Sequence, residues 1–267
     1  MISFTVTSEK QGLRVLKPED TLRFDCHENL SCYKRCCRDV TIFLTPYDIL
    51  RMKNALGILS EEFLPAFTKT WIGEKGFPVA ALKMSDDEDK SCPFLTRQGC
   101  RIYRDRPWSC RIYPLQPEIS PQTEKAGRQY YSVMNVPFCR GFQENRTTTV
   151  KQWLEEQEVP LYTEMESPFK NITRNPFLCD QVIKNPKIQQ MYYMASYDLD
   201  RFRRFVFESS FLQRFETDSL EIEKIRTDDT ALYQFAMRWL EYGLIGQQAL
   251  KVRPAVMEAK KKELGIE

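Results

Sequence analysis

The hydrophobic pattern changes character along the chain, from short apolar runs broken by turn signals to longer stretches of helical period. Val40-Thr-Ile-Phe-Leu44 is β-branched and aromatic, which predicts a short strand. Thr45-Pro46 then opens a helix, with Thr45 as cap, Pro46 at the first helical position and Asp48 three residues after the cap. Ile49, Leu50, Met52 and Leu56 give that helix an apolar face, and Gly57 stops it. Ser60-Glu-Glu-Phe begins another short helix through Phe67, and Phe77–Met84 predicts a strand ended by the acidic turn Ser85–Lys90. Gly127–Val136 is a further strand candidate, whereas Arg14–Phe24 alternates too weakly to assign and reads as irregular. From Thr149 the signal is helical. Thr149–Glu158 places Val150, Trp153 and Leu154 on one side, and Lys187–Phe215 repeats apolar residues at three- and four-residue steps with a break at Ser196-Tyr-Asp. Asp228–Leu250 and Pro254–Leu264 complete the helical set. The pattern therefore predicts an α+β chain: an irregular part with a few short strands over residues 1–145, then a helical domain over 146–267. No internal repeat is visible.

Composition adds exclusions. Hydrophobic residues make up 42% and charged residues 28% of 267, an ordinary globular mix that sets aside disordered and collagen-like classes. Thirty-nine basic against thirty-seven acidic residues leave a net charge of +2, so no general nucleic-acid binding is expected. No apolar run approaches the roughly 18–20 residues that span a bilayer, and no membrane association is expected. The first residues lack a basic flank followed by an apolar stretch, so a cytoplasmic location is expected.

The unusual entries are nine Cys and a single His. Cys26, Cys32, Cys36, Cys37, Cys92, Cys100, Cys110 and Cys139 all fall in the first 139 residues, and Cys179 stands apart. In a reducing compartment structural disulfides are rare, so metal or redox chemistry is the better starting point. Cys26-x5-Cys32-x3-Cys36-Cys37 puts four thiols within twelve residues, and Cys92-x7-Cys100-x9-Cys110 adds three more before Cys139. Local groups of thiols from separate segments suit zinc or an iron–sulfur cluster, either of which takes four thiolates. Those eight cysteines are the candidate metal ligands. The adjacent pair Cys36 and Cys37 is awkward for one ion, because successive side chains diverge, so one of them is expected to face a second metal or the core.

The other chemistry-bearing residues have plainer readings. Cys179, after Pro176-Phe-Leu178, is expected to pack as a small hydrophobe. His27 is expected to be an ordinary surface or core residue, and without another imidazole a Cys nucleophile lacks its usual base. Arg101, Arg104, Arg106 and Arg111 surround Cys100 and Cys110, where they are expected to lower thiolate pKa values and offset the charge of a thiolate centre. Trp108, Tyr103 and Tyr113 are placed to wall that centre from water. The aromatic stripe Tyr192, Tyr193, Phe202, Phe205, Phe207, Phe211 and Phe215 is expected to be core.

The first cysteine group with Arg38, then Cys92-Pro-Phe-Leu, then Gly99-Cys-Arg-Ile-Tyr-Arg-Asp-Arg-Pro-Trp-Ser-Cys-Arg-Ile-Tyr-Pro114 resembles the YkgJ-type cysteine-cluster proteins. The resemblance covers roughly residues 20–142 and implies a zinc- or iron-chelating domain. In that family the first group is commonly Cys-x2-Cys-x2-Cys-Cys; here it is stretched to x5 and x3. Flagellin lysine-N-methylase is similar through the same cluster, and that likeness implies an iron–sulfur centre, S-adenosylmethionine as methyl donor and a protein lysine as substrate. A zinc-stabilised module that recruits a protein partner without catalysis is the remaining alternative.

Overall fold

The computed structural model describes residues 2–3, 15–118, 129–134, 136–179, 183–246 and 250–263. It is α+β: short strands punctuate the first half, and the second half is mostly helix. Two compact units emerge, one built from Met1–Phe43 with Ala81–Glu164, the other from Leu44–Ala80 with Met165–Glu267. All eight cysteines of the two N-terminal groups belong to the first unit.

In that first unit Tyr131–Val133 is the middle strand of an antiparallel sheet, between Val15–Leu16 and Leu115–Pro117. A second ladder pairs Thr21–Arg23 with Thr147–Thr149, in the register Leu22↔Thr148. The stretch that reads as irregular in sequence thus holds two strands of two and three residues. Each is too short to display a period, although Leu22 turns inward between exposed Thr21 and Arg23. Thr149 ends its strand and caps the Val150–Glu156 helix: its hydroxyl accepts from the Gln152 N–H while the Gln152 side chain accepts from the Thr149 N–H. The helix presents Val150, Trp153 and Leu154 to a core with Leu16, Leu22, Phe24, Ile112 and Leu115. Phe24 is its hinge-pin, its ring meeting Trp153, Phe142 and Tyr113 at centroid distances of 5.3, 5.0 and 5.9 Å.

The second unit follows the sequence pattern closely. Thr45 and Asp48 form the reciprocal capping box of the Pro46–Leu56 helix, and Gly57 closes it at φ 66° with its N–H on the Asn54 and Lys53 carbonyls. The Ser60–Phe67 helix and the Pro78–Leu82 strand form where expected. The long helical stretch breaks at Asp198, between Pro186–Tyr197 and Leu199–Glu208. Asp229–Ile245 is capped by Asp228, whose carboxylate accepts from the Thr230 and Ala231 N–H groups. Its Phe235 and Trp239 pack with Phe202 and Phe211 of the aromatic stripe; Tyr192, Phe202, Phe211 and Phe215 of that stripe are core as expected, and Tyr193, Phe205 and Phe207 are half-buried.

A buried ionic group sits beside this core. Lys53 Nζ lies 2.7 Å from the Asp229 carboxylate and 3.3 Å from that of Asp200, and Asp229 also takes the Arg203 guanidinium. Asp200 accepts in turn from the Ser60 N–H at 2.7 Å. The strand Thr68–Ile72 and the helices Val159–Thr173 and Ser219–Thr227 add elements that the sequence pattern does not announce. Among the described residues no helix is long and apolar enough to cross a membrane. The side chain of Cys179, and residues 127–128, 135, 247–249 and 264 of the strand and helix candidates above, lie outside the described part.

Candidate metal centre

The first cysteine group is held by turns and by a close backbone approach. Leu30, Tyr33, Arg35 and Cys37 each donate their N–H three residues back, so the segment 27–37 winds through consecutive turns. Lys34 is left-handed at φ 69° and leads into the 3₁₀ turn Arg35–Cys37. Cys139 is brought to this segment by Gly141. The Asp25 N–H donates to the Gly141 carbonyl at 3.1 Å, and a Cβ on Gly141 would lie 2.4 Å from the Asp25 carbonyl oxygen and 2.5 Å from the Phe24 ring. With that approach made, the Arg140 N–H donates to Cys32 Sγ at 3.2 Å.

The second group is tied to Cys37. Its carbonyl accepts from the Cys92 N–H at 2.9 Å, and Arg38 bridges to Ser91. Cys92-Pro-Phe-Leu turns, and Leu95 pairs with Cys100 across a short antiparallel bridge while the Arg101 N–H returns to the Phe94 carbonyl at 2.9 Å. Gly99, at φ 129°, makes that return: a Cβ there would stand 2.6 Å from the Tyr33 hydroxyl. The Trp108–Ile112 helix then carries Cys110, whose N–H donates to the Pro107 carbonyl.

All eight side chains are free thiols; Cys26 is exposed and the other seven are half-buried. They are near enough for charge on one to act on another. Cys26 senses Cys36, Cys139 and Cys32, and Cys139 senses Cys32 and Cys36. Cys110 senses Cys92, Cys36 and Cys100, and the thiols of Cys36 and Cys37 hydrogen-bond. Burial, then mutual repulsion, pushes Cys26 up to about 12, and burial pushes Cys92 up to about 11. Burial also raises Cys100, Cys110 and Cys139. These upward shifts favour the neutral thiols, and a bound cation would invert that preference by replacing repulsion with attraction.

The four arginines correct the sequence expectation. Arg106 and Arg101 do pull Cys100 downward, but burial outweighs them and the net shift is upward. Arg111 serves another purpose. Only 2% exposed, it donates to the carbonyls of Arg106, Gln157 and Arg104, to the Tyr162 hydroxyl and to the Glu158 carboxylate, and its guanidinium stacks 4.1 Å from the Tyr162 ring centre. Such a planar five-donor brace fixes the loop that carries Cys110. The aromatic wall is also smaller than expected. Tyr103 is 59% exposed, and Trp108 donates to Thr163 Oγ1 at 3.1 Å. Tyr113 meets a thiol, that of Cys139. His27 points Nε2 at the Glu144 carboxylate, 3.4 Å away, in keeping with its ordinary reading.

Whether this arrangement suits a metal can be tested on the sulfurs. Among the described residues no group of three or more His, Cys, Asp or Glu side chains is arranged so that it could hold a metal ion. The surroundings of the sulfurs are nonetheless built for thiolates. Besides the Arg140 N–H on Cys32, backbone N–H groups of Phe94 and Leu95 serve Cys92, that of Ile102 serves Cys100 and that of Gly141 serves Cys139. Amide donors at the second or third residue after a cysteine favour the charged form and orient its lone pairs. The donor set is all sulfur, and four of its eight members, Cys32, Cys92, Cys100 and Cys139, accept from amides; in chemistry such a set fits zinc or an iron–sulfur centre.

Residues 25–154 match the family model CxxCxxCC, described as a putative zinc- or iron-chelating domain. Over that span, just under half of its length, the chain is similar to the CxxCxxCC family. The matched span includes all eight clustered cysteines and leaves Cys179 outside. Comparison with the curated proteins and with the solved structures found no match. Gly141, Gly99 and Tyr33 escaped the sequence reading; the Cys-Arg-Gly and Gly-Cys neighbourhoods are the signal that could have drawn attention to the two glycines.

Proposed function

We propose that the CxxCxxCC domain binds zinc or an iron–sulfur centre through thiolates drawn from Cys26, Cys32, Cys36, Cys37, Cys92, Cys100, Cys110 and Cys139, chiefly as a structural or redox-tuning site in the cytoplasm. The observation that carries this reading is the set of backbone N–H donors aimed at sulfurs from both cysteine groups. A buried neutral thiol is a weak acceptor and has little use for such donors, whereas a metal-bound thiolate has. When bound, the metal would supply the positive charge that lets adjacent thiols ionise together. The chain's own contribution is to set turns that present sulfur, to exclude solvent and to offer Arg101 and Arg106 as nearby cations.

The test is metal analysis of anaerobically purified chain. Brown protein with broad visible absorbance and acid-labile sulfide identifies an iron–sulfur centre, and colourless protein with stoichiometric zinc identifies a zinc site. Protein that takes up neither metal overturns the reading. Cys100→Ser is expected to lose bound metal and Cys179→Ser to keep it. A protein partner or substrate is expected to act through the metal-loaded chain, and methyl incorporation from S-adenosylmethionine into a protein lysine would extend the reading to catalysis.

A further inference from the structure

We propose that the basic surface around residues 28–35 docks an acidic, extended segment of a protein partner. The inference goes beyond the metal-binding reading and holds whether or not a metal is bound. Its first support is charge. The segments 28–35, 97–104 and 138–140 contain six cations, Lys34, Arg35, Arg97, Arg101, Arg104 and Arg140, against the single carboxylate of Glu28, in a chain whose net charge is only +2. The five arginines are exposed, and Asp105, next in the chain, is half-buried and already engaged. Arg101 stacks 5.2 Å from the ring of Phe94. Arg35, Arg97, Arg104 and Arg140 have no carboxylate partner among the described residues, whereas Arg38, Arg146, Arg204 and Arg238 pair with Asp89, Glu156, Glu61 and Glu221.

The fold puts these segments side by side. Lys34 Nζ donates to the Arg97 carbonyl at 2.6 Å and the Tyr33 hydroxyl to that of Gln98 at 3.3 Å, which fixes residues 97–98 against the first segment. Tyr103 and Arg104 follow through the turn in which the Tyr103 N–H donates to the Cys100 carbonyl. Residues 138–140 come in beside Cys32 and Arg35: the Arg140 N–H reaches Cys32 Sγ, and the Arg35 guanidinium lies 5.2 Å from the ring of Phe138. A polar cavity of about 450 Å³ opens between Glu28, Tyr33 and Lys34 on one wall and Arg97 and Gln98 on the other. Tyr103 is 59% exposed, and its ring is held by the Arg106 guanidinium at 3.8 Å. A rigid, exposed Tyr among arginines has the composition of an interface anchor.

The occupant follows from the charges. Cations carried by three segments call for a multivalent anion rather than a single small one. Glu28 then selects between polyanions. Lining the cavity beside Lys34 and Arg97, its carboxylate would repel the evenly spaced phosphates of a nucleic acid, but it accepts a hydrogen bond from a peptide N–H. The near-balanced chain also lacks the broad positive field that nucleic-acid binders use. An acidic peptide supplies carboxylates for the guanidinia, N–H donors for Glu28 and apolar side chains for Tyr103.

The experiment titrates full-length chain into a fluorescein-labelled oligo-glutamate peptide at low ionic strength and reads anisotropy. Binding is expected, weakening as salt is added. Arg35→Glu and Arg97→Glu should each weaken it about tenfold, and Arg97→Lys, which keeps the charge, should bind as the unaltered chain does. Arg201→Glu makes the same charge change at an exposed arginine of the helical unit and should leave binding unaltered. Amide chemical shifts of the unaltered chain give a reading that does not depend on how the variants fold: changes on adding peptide should concentrate in residues 28–35, 97–104 and 138–140. No binding, equal weakening by Arg201→Glu, or shifts centred elsewhere would overturn the proposal. Tighter binding of an oligothymidylate of equal length would overturn it in favour of a nucleic acid. Salt-sensitive self-association that Glu88→Gln abolishes would overturn it in favour of the acidic turn of a second copy.

Discussion

The two units of this chain are stabilised by different means. The helical unit has a dense aromatic interior, where Phe202, Phe211, Phe235 and Trp239 are mutual neighbours, and its buried charges are paired: Lys53 with Asp200 and Asp229, Glu166 with Lys170 and the Thr45 hydroxyl. The cysteine unit has a small core around Phe24 and Trp153, strands of two or three residues, and long stretches held only by turns. Burial of large side chains can sustain the first arrangement, each contributing about 1.5–3 kcal/mol. The second has eight half-buried or exposed thiols, of which Cys139 packs against its small core. The contrast is what the proposed metal site would account for: the helical unit is held by its own interior, and the cysteine unit would gain most from a bound ion.

Metal removal should separate the two units most sharply. Structural zinc contributes on the order of 10–16 kcal/mol in zinc-finger peptides. Chelation is therefore expected to abolish hydrogen-exchange protection across residues 24–38 and 92–112 while amides of Asp229–Ile245 stay protected. Equal protection of both regions before and after chelation would remove the distinction. Next in size is Phe202→Ala, expected to cost about 3–5 kcal/mol in denaturant unfolding with bound metal unchanged. Loss of metal in that variant would show that the helical unit supports the centre. Arg111→Ala should cost about 2–4 kcal/mol, since it strands several carbonyls at once. Its metal content should also fall, because the Cys110 loop loses its brace; a variant with normal metal uptake would confine Arg111 to stability.

The smallest effect concerns acid. Burial alone would raise Asp200, but the Ser60 N–H and the Lys53 ammonium outweigh it and hold its carboxyl below the usual range. A depressed folded-state value means that this stabilisation is present above the ordinary carboxylate pKa and is lost as pH falls through the lowered one. Asp200→Asn should therefore unfold more easily near neutrality and lose less further stability between about pH 5 and pH 2 than the unaltered chain. An identical acid limb in both proteins would assign the acid sensitivity to other carboxylates.

What could be read from sequence was what is encoded locally. The Thr45–Asp48 box, the stop at Gly57, the break at Asp198 and the membership of eight cysteines in one half each depend on residues a few positions apart. What could not be read depends on distant partners. Arg111 looks like one cation among four beside two cysteines until Tyr162, 51 positions on, takes its guanidinium. Strands of two or three residues carry no usable period, and Pro160 and Pro168 obscure the helix over Val159–Thr173. A zinc- or iron-chelating domain was legible from the clustering of cysteines and the family resemblance. Which sulfurs lie near one another was not, because that depends on contacts between distant segments, such as the Arg140 N–H on Cys32.

The excursion of Leu44–Ala80 into the other unit affects how this molecule can be cut and how it is synthesised. A fragment trimmed to the matched span 25–154 would include Met52, Phe63 and Leu64, which are buried in the intact chain, but none of the helices beyond Met165 that share their unit. During translation the first four sulfurs emerge well ahead of Cys92, with a detour between them that waits for the C-terminal half before it can settle. Full-length protein is accordingly the natural material for every measurement described above.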